Sequence, residues 1–366
     1  MTQKKTILIL GARAPVALEL CRSLGKKGHQ ILMADSMNFP LGRWSKYVHE
    51  FFILPSPKFF LAQYVDALKK IHEQYFIDFC VPTCEEVFYL SLASSQIPFP
   101  VWVEEIELLD KLHNKWSFSQ WKNSPFCFPT TRLMSGFEDW DNCEDYVFKP
   151  KYSRFGEETL INVSEKKIRA EVGKPEDWIV QEKIDGEELC VYSLWKEGKL
   201  LAFSTYKLKC RHRGGAALLF EFLWKEEVYN SIKSFGENIR FTGQLCFDMI
   251  QAKEKIYVIE CNPRSTSGLH LLAESISLAM VEEHPQIIRN QKQAASLKTA
   301  ILFSSPFQLL KKEVRQSKDV VFSLTDPKPF FLQMLGLMEF LYRRLRFRIS
   351  FTQSMTHDIS FDGLSD

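Results

Sequence analysis

The chain has 366 residues, of which 45% are hydrophobic and 25% are charged. This is a globular composition with enough length for two or three domains, and it excludes extended disorder, collagen and coiled coil. The 47 basic and 45 acidic residues leave a formal charge of only +2, so we expect no nucleic-acid partner. The charge is uneven, because the segment from Gln286 onward holds 12 basic and 7 acidic residues.

The cysteines indicate a reducing compartment. The chain has nine, an odd number, without a Cys-x-x-Cys pair, so we expect free thiols in a cytoplasmic protein rather than a disulfide framework. The first residues contain no secretory apolar segment, and no run of about 18 uncharged apolar residues occurs. We therefore expect neither a targeting peptide nor a membrane-spanning helix.

The first 108 residues alternate between strand and helix patterns. Strands are predicted at 6–10, 30–34, 47–54, 78–82 and 101–103, and helices at 16–24, 60–75 and after Thr83. The first strand is a continuous apolar run, which is typical of a parallel strand buried on both faces. The alternation predicts an α/β domain over residues 1–108 with a Rossmann-like parallel sheet.

The loop after the first strand is a weak nucleotide signal. The segment 11–16 stands where dinucleotide folds hold phosphates, but it lacks the Gly-x-Gly-x-x-Gly fingerprint. Asp35 ends the second strand, where an acid could hold a ribose or simply cap a helix. A nicotinamide-dependent oxidoreductase is therefore an alternative with little support. Glu85 and Glu86 could face a site or stabilise the N-terminus of their own helix.

Beyond Asp110 the pattern becomes that of a mixed α+β block. A helix is predicted at 111–121, and strands are predicted at 145–149, 159–163, 178–183, 186–195, 199–208, 243–250 and 255–261. After residue 286 only one element is clear, an apolar helix over 329–348.

The last two strands of this block carry the most informative residues. Asp248 and Glu260 are twelve positions apart, so a hairpin can place them opposite each other, and Asn262 shares the face of Glu260. Two adjacent carboxylates need a cation or a shared proton. Oxygen ligands with few carboxylates suit Mg²⁺, which shares its shell with substrate phosphates. Arg264 supplies a fixed charge suited to a phosphoryl group.

This arrangement resembles the metal site of the ATP-grasp superfamily. The segment 260–264, Glu-Cys-Asn-Pro-Arg, is similar to that family's Glu-x-Asn-x-Arg strand, and Asp248 is similar to its preceding acidic ligand. The family includes D-alanine–D-alanine ligase, biotin carboxylase and the large subunit of carbamoyl-phosphate synthetase. The resemblance covers most of residues 6–285 and implies that two Mg²⁺ ions, or Mn²⁺ in their place, bridge the phosphates of ATP. The implied parts are a pre-ATP-grasp domain at 1–108, a two-part ATP-grasp domain at 109–285 with its lid at about 115–182, and a C-terminal extension at 286–366.

The same resemblance assigns residues to the phosphates. Lys115 is similar to the first nucleotide lysine, with Lys111 as its competitor, and Lys149 resembles the strand lysine that reaches the α- and β-phosphates. A lysine in so apolar a strand needs a partner, unless the strand is an exposed edge. The loop that stands where the family has a glycine-rich flap contributes Ser153, Arg154 and Gly156.

Two further groups of residues are assigned in the same way. The adenine hinge is expected at Glu182, Lys183 and Ile184, and Glu188 is similar to the ribose-binding acid. Arg211 and Arg213 lie where the family gathers positive charge for the γ-phosphate or the substrate. A basic surface loop explains these two arginines equally well.

The resemblance implies a ligase. A substrate carboxylate would attack the γ-phosphate of ATP, and an amine or another nucleophile would then attack the acylphosphate, which gives a C–N bond, ADP and phosphate. Arg264 would hold the intermediate, while His270 and the serines of 265–267 could line the acceptor site or cap a helix. The expected partners are these small-molecule substrates and, as in related enzymes, a second copy in a homodimer. A catalytically inactive nucleotide-binding regulator is the main alternative.

The helix predicted at 329–348 is a separate feature. It is apolar on nearly all sides and ends in a run of arginines between Arg343 and Arg348. A helix of this kind is usually buried in a core. Peripheral contact with an anionic membrane and a surface for partners or self-association are the alternatives.

Overall fold

A parallel sheet opens the structure, a computed structural model that describes residues 3–154, 156, 158–211, 217–289 and 294–364. Its strands are β1 (Thr6–Leu10), β2 (Gln30–Asp35), β3 (Val48–Ile53) and β4 (Phe79–Val81), in the spatial order β3-β2-β1-β4. The helices beside it are α1 (Pro15–Lys26), α2 (Leu61–Tyr75) and α3 (Glu86–Leu92). The predicted parallel sheet is thus confirmed, although the strand predicted at 101–103 is reduced to one bridge between Cys80 and Val101.

Two short helices replace the single helix predicted at 111–121. They are α4 (Ile106–His113) and α5 (Lys115–Ser119). Asn114 separates them, because its backbone is extended and its side-chain oxygen accepts hydrogen bonds from the backbone N–H groups of Trp116 and Ser117. This N-cap makes Lys115 the first residue of α5 and directs it toward the site described below.

A small antiparallel sheet follows. Its strands are β5 (Thr131–Leu133), β6 (Tyr146–Pro150), β7 (Leu160–Ile161) and β8 (Trp178–Glu182), in the order β5-β8-β6-β7, with α6 (Glu165–Glu171) beside them. Phe148, Ile168 and Trp178 form its core. This core is separate from the larger ones, so the sheet is a subdomain of its own.

The largest sheet carries the strands that the metal prediction depends on. They are β9 (Glu187–Lys196), β10 (Lys199–Arg211), β11 (Ala217–Phe222), β12 (Gly243–Ala252), β13 (Lys255–Asn262), β14 (Gln286–Ile287), β15 (Ala294–Ser296) and β16 (Lys318–Asp319). Their order is β13-β12-β9-β10-β11-β15-β16, with β14 beside β10. Helix α7 (Glu226–Asn238) covers one face, where Gly236 lies so close to Trp195 that a Cβ would sit 2.4 Å from the indole ring.

The other face of this sheet packs against the first domain. Helices α8 (Leu269–Leu272) and α9 (Ile276–Val281) lie between them. Leu20 of α1, Tyr192 of β9 and Ile276 of α9 are fully buried in one hydrophobic cluster. The parallel sheet and the largest sheet therefore share a core.

The remaining helices are α10 (Lys298–Ser304), α11 (Lys312–Gln316), α12 (Lys328–Phe347) and α13 (Phe351–Ser354). Helix α12 confirms the element predicted at 329–348. Within the described part of the chain, no helix has both the length and the apolar character needed to cross a membrane.

Residues 355–362, which we call the strap, return to the parallel sheet. Asp358 accepts hydrogen bonds from Arg13 at 2.6 Å and from Ser36 at 2.6 Å. Phe361 stacks on Phe88 of α3, with ring centroids 4.5 Å apart. The strap therefore closes the end of the sheet at which β1 and β2 finish.

Candidate nucleotide and metal site

The β12–β13 hairpin places the two predicted carboxylates side by side. Asp248 is the cross-strand partner of Glu260, and Cys246 is the partner of Asn262. The turn between the strands passes through Lys253, whose φ of 54° is left-handed. This register confirms the expectation that the twelve-residue spacing brings Asp248 and Glu260 together.

Polar contacts surround the two acids. Glu260 lies 3.5 Å from the Lys115 ammonium and 3.3 Å from the side-chain amide of Asn262, which donates to it. The Asn262 oxygen accepts a hydrogen bond of 3.2 Å from Arg264. On the other strand, the Cys190 thiol donates to Asp248 over 3.0 Å. Asn262 is therefore the link between the paired acids and Arg264.

Two lysines keep Glu260 ionised. Burial alone would raise the pKa of its carboxyl, but the charges of Lys115 and Lys149 outweigh that effect and hold the pKa well below its usual range. Part of the positive charge that two neighbouring carboxylates require thus comes from the protein itself.

Lys149 is a buried ammonium in the middle of β6. Only 4% of the residue is exposed, and its Nζ donates to the Gln181 side chain over 2.9 Å. Burial lowers the pKa of Lys149 from 10.5 to about 8, against the opposing charges of Glu260 and Asp248. The strand is not an exposed edge, because β6 lies between β7 and β8. The partner that a buried lysine needs is Gln181.

The structure distinguishes the two candidate lysines of the preceding helices. Lys115 is 4% exposed, and its Nζ lies 3.4 Å from the carbonyl oxygen of Ser153. Lys111 instead stands over the ring of Trp121, 4.1 Å from its centroid, at the surface. Lys115 is therefore the lysine that joins Glu260 and Lys149.

The loop after β6 departs from its expected role. Gly156 has a φ of 64°, while Phe155 and Glu157 beside it lie outside the described residues. The Arg154 guanidinium forms ion pairs with Glu85 at 2.6 Å and Asp362 at 2.8 Å. Arg154 thus pairs with α3 and the strap. We expected it to contact the phosphates, and the structure corrects that expectation.

The predicted hinge follows β8. Glu182 is exposed and its N–H donates to Thr130, while the Lys183 N–H donates to Asp145. Among the described residues, no acceptor pairs with the N–H of Ile184. Glu188 is exposed at the start of β9. The hinge therefore has a backbone donor available for the edge of a base.

Glu85 joins residues that the sequence treats separately. It is 2% exposed, and its Oε1 lies 3.8 Å from the Arg264 Nε, while its Oε2 pairs with Arg154. Burial would raise the pKa of Glu85, but the charges of Arg154 and Arg264 outweigh burial and lower it. Glu86 instead accepts from the N–H groups before its own helix. Of the two roles expected for this acidic pair, Glu85 therefore faces the site, and Glu86 stabilises the N-terminus of its own helix.

His113 is a residue of this region that the sequence analysis did not single out. It is 2% exposed, and its Nε2 is buried without a hydrogen-bond partner among the described residues. Burial lowers the pKa of His113 to about 3, so its ring is neutral at pH 7. The sequence offered one indication that His113 belongs to this region, namely its position two residues before Lys115.

Other predicted residues lie elsewhere. His270 is buried with its Nδ1 3.1 Å from Glu19 of α1, so the expectation that it lines the acceptor site is wrong. Ser265 bonds to Gln244 inside the same core. Arg211 ends β10 and its side chain is not described, while Arg213 lies outside the described residues.

The donor set fits Mg²⁺. Asp248 and Glu260 are cross-strand neighbours, and the side-chain amide of Asn262 lies beside Glu260. Among the described residues, no group of three His, Cys, Asp or Glu side chains that could hold a metal ion occurs, so the set available to a metal is two carboxylates and one amide. Mg²⁺ typically takes one or two protein carboxylates and completes its shell with waters and substrate phosphates. Asp248, Glu260 and Asn262 would hold the ion.

Comparison with known families agrees with this geometry. Residues 112–268 match the sequence model of the ATP-grasp domain. This segment is similar to ATP-grasp domains. It spans the small antiparallel sheet and the β12–β13 hairpin, so both lysines and all three proposed metal ligands lie within it. No curated protein sequence matches the chain.

Solved structures share the fold of this chain. N5-carboxyaminoimidazole synthetase from Staphylococcus aureus, in complex with ADP, has a TM-score of 0.62 and 12% identity over 79% of this chain and 80% of its own. An L-amino acid ligase from Bacillus licheniformis has a TM-score of 0.57 and 15% identity over 77% of this chain and 71% of its own. For biotin carboxylase from Campylobacter jejuni the TM-score is 0.58 and the identity 15%, over 77% and 70%. Identities this low show a common fold.

Proposed function

We propose that the protein is an ATP-dependent ligase that activates a small-molecule carboxylate as an acylphosphate. The observation that carries the proposal is the cluster in which the buried side chains of Lys115 and Lys149 face the partly buried carboxylates of Glu260 and Asp248, inside the segment that matches the ATP-grasp domain. Charges removed from water are expensive unless they serve one another or a ligand. A magnesium–triphosphate complex, which carries charges of both signs, is such a ligand.

Each residue has a defined role in the proposed binding step. Lys149 and Lys115 hold the phosphates, with Ser153 and Gly156 in the loop above them. The backbone of Glu182 and Ile184 pairs with the base beside Lys183, and Glu188 binds the ribose. Asp248, Glu260 and Asn262 would hold Mg²⁺, which would supply positive charge against the phosphoryl group.

The proposed chemistry is in-line phosphoryl transfer followed by acyl transfer. A carboxylate oxygen attacks the γ-phosphorus, and the bond to the leaving oxygen of ADP breaks. The nitrogen of an amine then attacks the acyl carbon, loses a proton and expels phosphate, which gives an amide. Arg264 holds the phosphoryl oxygens of the intermediate, with Arg211 and Arg213 as the other basic candidates. Glu85 sets the position of Arg264.

The alternatives have less support. An inactive regulator would be expected to lack part of the metal set, and all three members are present. For a nicotinamide oxidoreductase, Asp35 would have to be available to a ribose, but the Arg13 guanidinium bonds to it at 2.6 Å. All nine cysteines are free thiols, which supports the cytoplasmic location that we propose. The homodimer stays a prediction.

ADP release tests this function. Purified protein is incubated with Mg·ATP and a panel of carboxylic and amino acids, and release that depends on the carboxylate is expected. Asp248→Asn and Glu260→Gln should each lower the rate by at least about a hundredfold. Glu254→Gln, on the turn of the same hairpin, is the matched control and should act as the wild type. Binding of Mg·ATP without release for any carboxylate would favour the regulator, and NADH binding measured by fluorescence would favour the oxidoreductase.

A further inference from the structure

Helix α12 presents apolar side chains to solvent. Phe331 is 67% exposed, Met338 is 55% exposed and Leu345 is 77% exposed. The exposed apolar residues recur at intervals of three and four, so they share one side of the helix over about 20 Å. They are Phe331, Met334, Met338, Leu341, Tyr342 and Leu345. The expectation that this helix is buried is therefore wrong for one of its faces.

The opposite face of α12 is fixed to the protein. Glu339 accepts hydrogen bonds from the backbone N–H groups of Asn38 and Phe39 at 3.1 and 2.9 Å. Gly336 lies against the Phe39 carbonyl, where a Cβ would sit 2.8 Å from the oxygen. Because the helix is held on this side, its exposed face keeps one orientation relative to the rest of the molecule.

Two segments that contact α12 also expose apolar side chains. Gln333 of α12 bonds to Thr299 of α10 over 3.2 Å, and the ring of Phe330 packs on Phe322 at 5.2 Å. These segments expose further large side chains, namely Phe303, Phe307, Leu310 and Leu324, at 64%, 82%, 75% and 86%. We call these residues and the α12 stripe the apolar patch. Soluble proteins rarely expose so many large apolar side chains together unless the surface binds something.

Basic residues flank the apolar patch. At about 100° per residue, Arg344 and Arg346 lie on the two sides of the α12 stripe, and Arg348 ends the helix; all three are exposed. Glu339, the only acidic residue of α12, is bonded to Arg343 and to the backbone of another segment. Lys311, Lys312 and Arg315 are exposed on the segment beside α10.

We propose that the apolar patch lies on the surface of an anionic phospholipid bilayer, with α12 in the plane of the interface. Apolar side chains would enter the acyl boundary, while the flanking arginines remain at the level of the phosphates. A second copy of the chain fits less well, because pairing two such faces brings together the exposed basic residues of α11 and α12, against which these two helices expose one acidic residue, Glu313. The observation on α12 is independent of the proposed ligase activity.

Vesicle flotation with the full chain tests the proposal. The protein should float with vesicles of phosphatidylcholine and phosphatidylserine, and hardly at all with phosphatidylcholine alone. Raising the salt from about 0.1 M to about 0.5 M should lower the bound fraction several-fold, because screening weakens the attraction. Absence of flotation, or equal flotation with both kinds of vesicle, would overturn the proposal.

Substitutions locate the contact. Met338→Glu combined with Leu345→Glu, and Arg344→Glu combined with Arg346→Glu, should each reduce flotation at least about tenfold. All four side chains are exposed, so the fold tolerates the changes. Two controls should float as the wild type: Phe76→Glu, at a side chain 76% exposed on the parallel-sheet domain, and Lys166→Glu combined with Lys167→Glu on α6.

The same variants distinguish a self-association surface. Light scattering without vesicles measures the oligomeric state, and the double variant Met338→Glu/Leu345→Glu should have the same oligomeric state as the wild type. If this variant instead dissociates an oligomer of the wild type, and if its flotation is unchanged, the patch is an interface between copies and the membrane proposal fails. ADP release by the α12 variants should equal that of the wild type, because α12 has no part in the proposed active site. The two proposals are therefore tested separately, and a failed ligase assay leaves the flotation result valid.

Discussion

Lys149 combines burial with a charge that ATP would require. Its strand leaves 4% of the residue exposed, and the neutral Gln181 is its hydrogen-bond partner. Burial of the ammonium lowers its pKa to about 8. An approaching triphosphate would raise that pKa again, so binding and protonation are coupled.

Affinity for Mg·ATP should therefore fall with alkaline pH. Because the charged form of Lys149 predominates below about pH 8 and is lost above it, the Kd should rise about tenfold between about pH 7 and about pH 9. Calorimetry at several pH values measures this. Lys149→Arg keeps its charge over this range and should lose the dependence, whatever its absolute affinity. An unchanged slope in this variant would show that another group titrates.

The two neighbouring lysines offer a matched pair of substitutions. Lys115→Met removes an ammonium from the acidic cluster and should raise the Kd for ATP at least about tenfold, equivalent to about 1.4 kcal/mol. Lys111→Met removes only a surface contact with Trp121 and should leave the Kd unchanged. Equal effects of the two substitutions would contradict the position that we give Lys115 in the site.

At the residue scale, the sequence predicts those contacts that follow from one local period. Asp248, Glu260 and Asn262 were predictable, because a hairpin has a period of two and its register follows from the spacing. The partners of Arg154 were not, because Glu85 and Asp362 come from distant parts of the chain. His270 was misplaced for the same reason, since its partner Glu19 belongs to α1.

Among the elements, α1 has a second role beyond covering the parallel sheet. Glu19 lies 3.1 Å from His270 of α8 and 3.2 Å from Lys318 of β16. Burial would raise its pKa, but the hydrogen bond and charge of His270 and the charge of Lys318 lower it from 4.5 to about 2. One carboxylate therefore ties three segments together.

Loss of this carboxylate should destabilise the fold. Glu19→Gln should lower the free energy of unfolding by about 3 kcal/mol at neutral pH, because it removes the buried carboxylate that pairs with the buried His270 side chain and with the partly exposed Lys318 ammonium. Since the pKa of Glu19 is lower in the folded chain, the difference from the wild type should be complete above about pH 4.5 and shrink as the pH falls toward about 2. Urea unfolding at several pH values measures it. Glu73→Gln on the exposed face of α2 is the control, and an equal effect there would contradict the argument.

Prediction of elements succeeded where a strong period ran without interruption. The strands of the parallel sheet and the β12–β13 hairpin have such periods, and their positions agree closely with the structure. The helix predicted at 111–121 failed, because the Asn114 side chain competes for the backbone and restarts the helix. The short strands β14, β15 and β16 have two or three residues each, which is too few for any period to appear.

At the scale of the whole molecule, the strap completes a core that the sequence divides between domains. Phe361 is 4% exposed and packs on Phe88, in the same cluster as Phe247 of β12. No local pattern identifies residues 355–362 as part of that core, because they form no regular element. The overall order of α/β and α+β parts was predictable from the alternation, and the docking of the strap was not.

The strap should therefore contribute measurably to stability. Phe361→Ala leaves a cavity beside Phe88 and should lower the free energy of unfolding by about 3 kcal/mol. Phe60→Ala, at a residue 54% exposed in the first domain, should change it by less than about 0.5 kcal/mol. Urea unfolding at neutral pH measures both variants. Similar values for the two would mean that the strap adds little to the core.

The contact between Arg13 and Asp358 joins residues 345 positions apart. During synthesis, Arg13 can pair with Asp35 soon after both have been made, but its second carboxylate, Asp358, is added only 345 positions later. Until then the parallel-sheet domain lacks the strap, and Phe88 lacks the ring of Phe361 that stacks on it. Nascent chains of this protein should be substrates for holdase chaperones until the strap arrives.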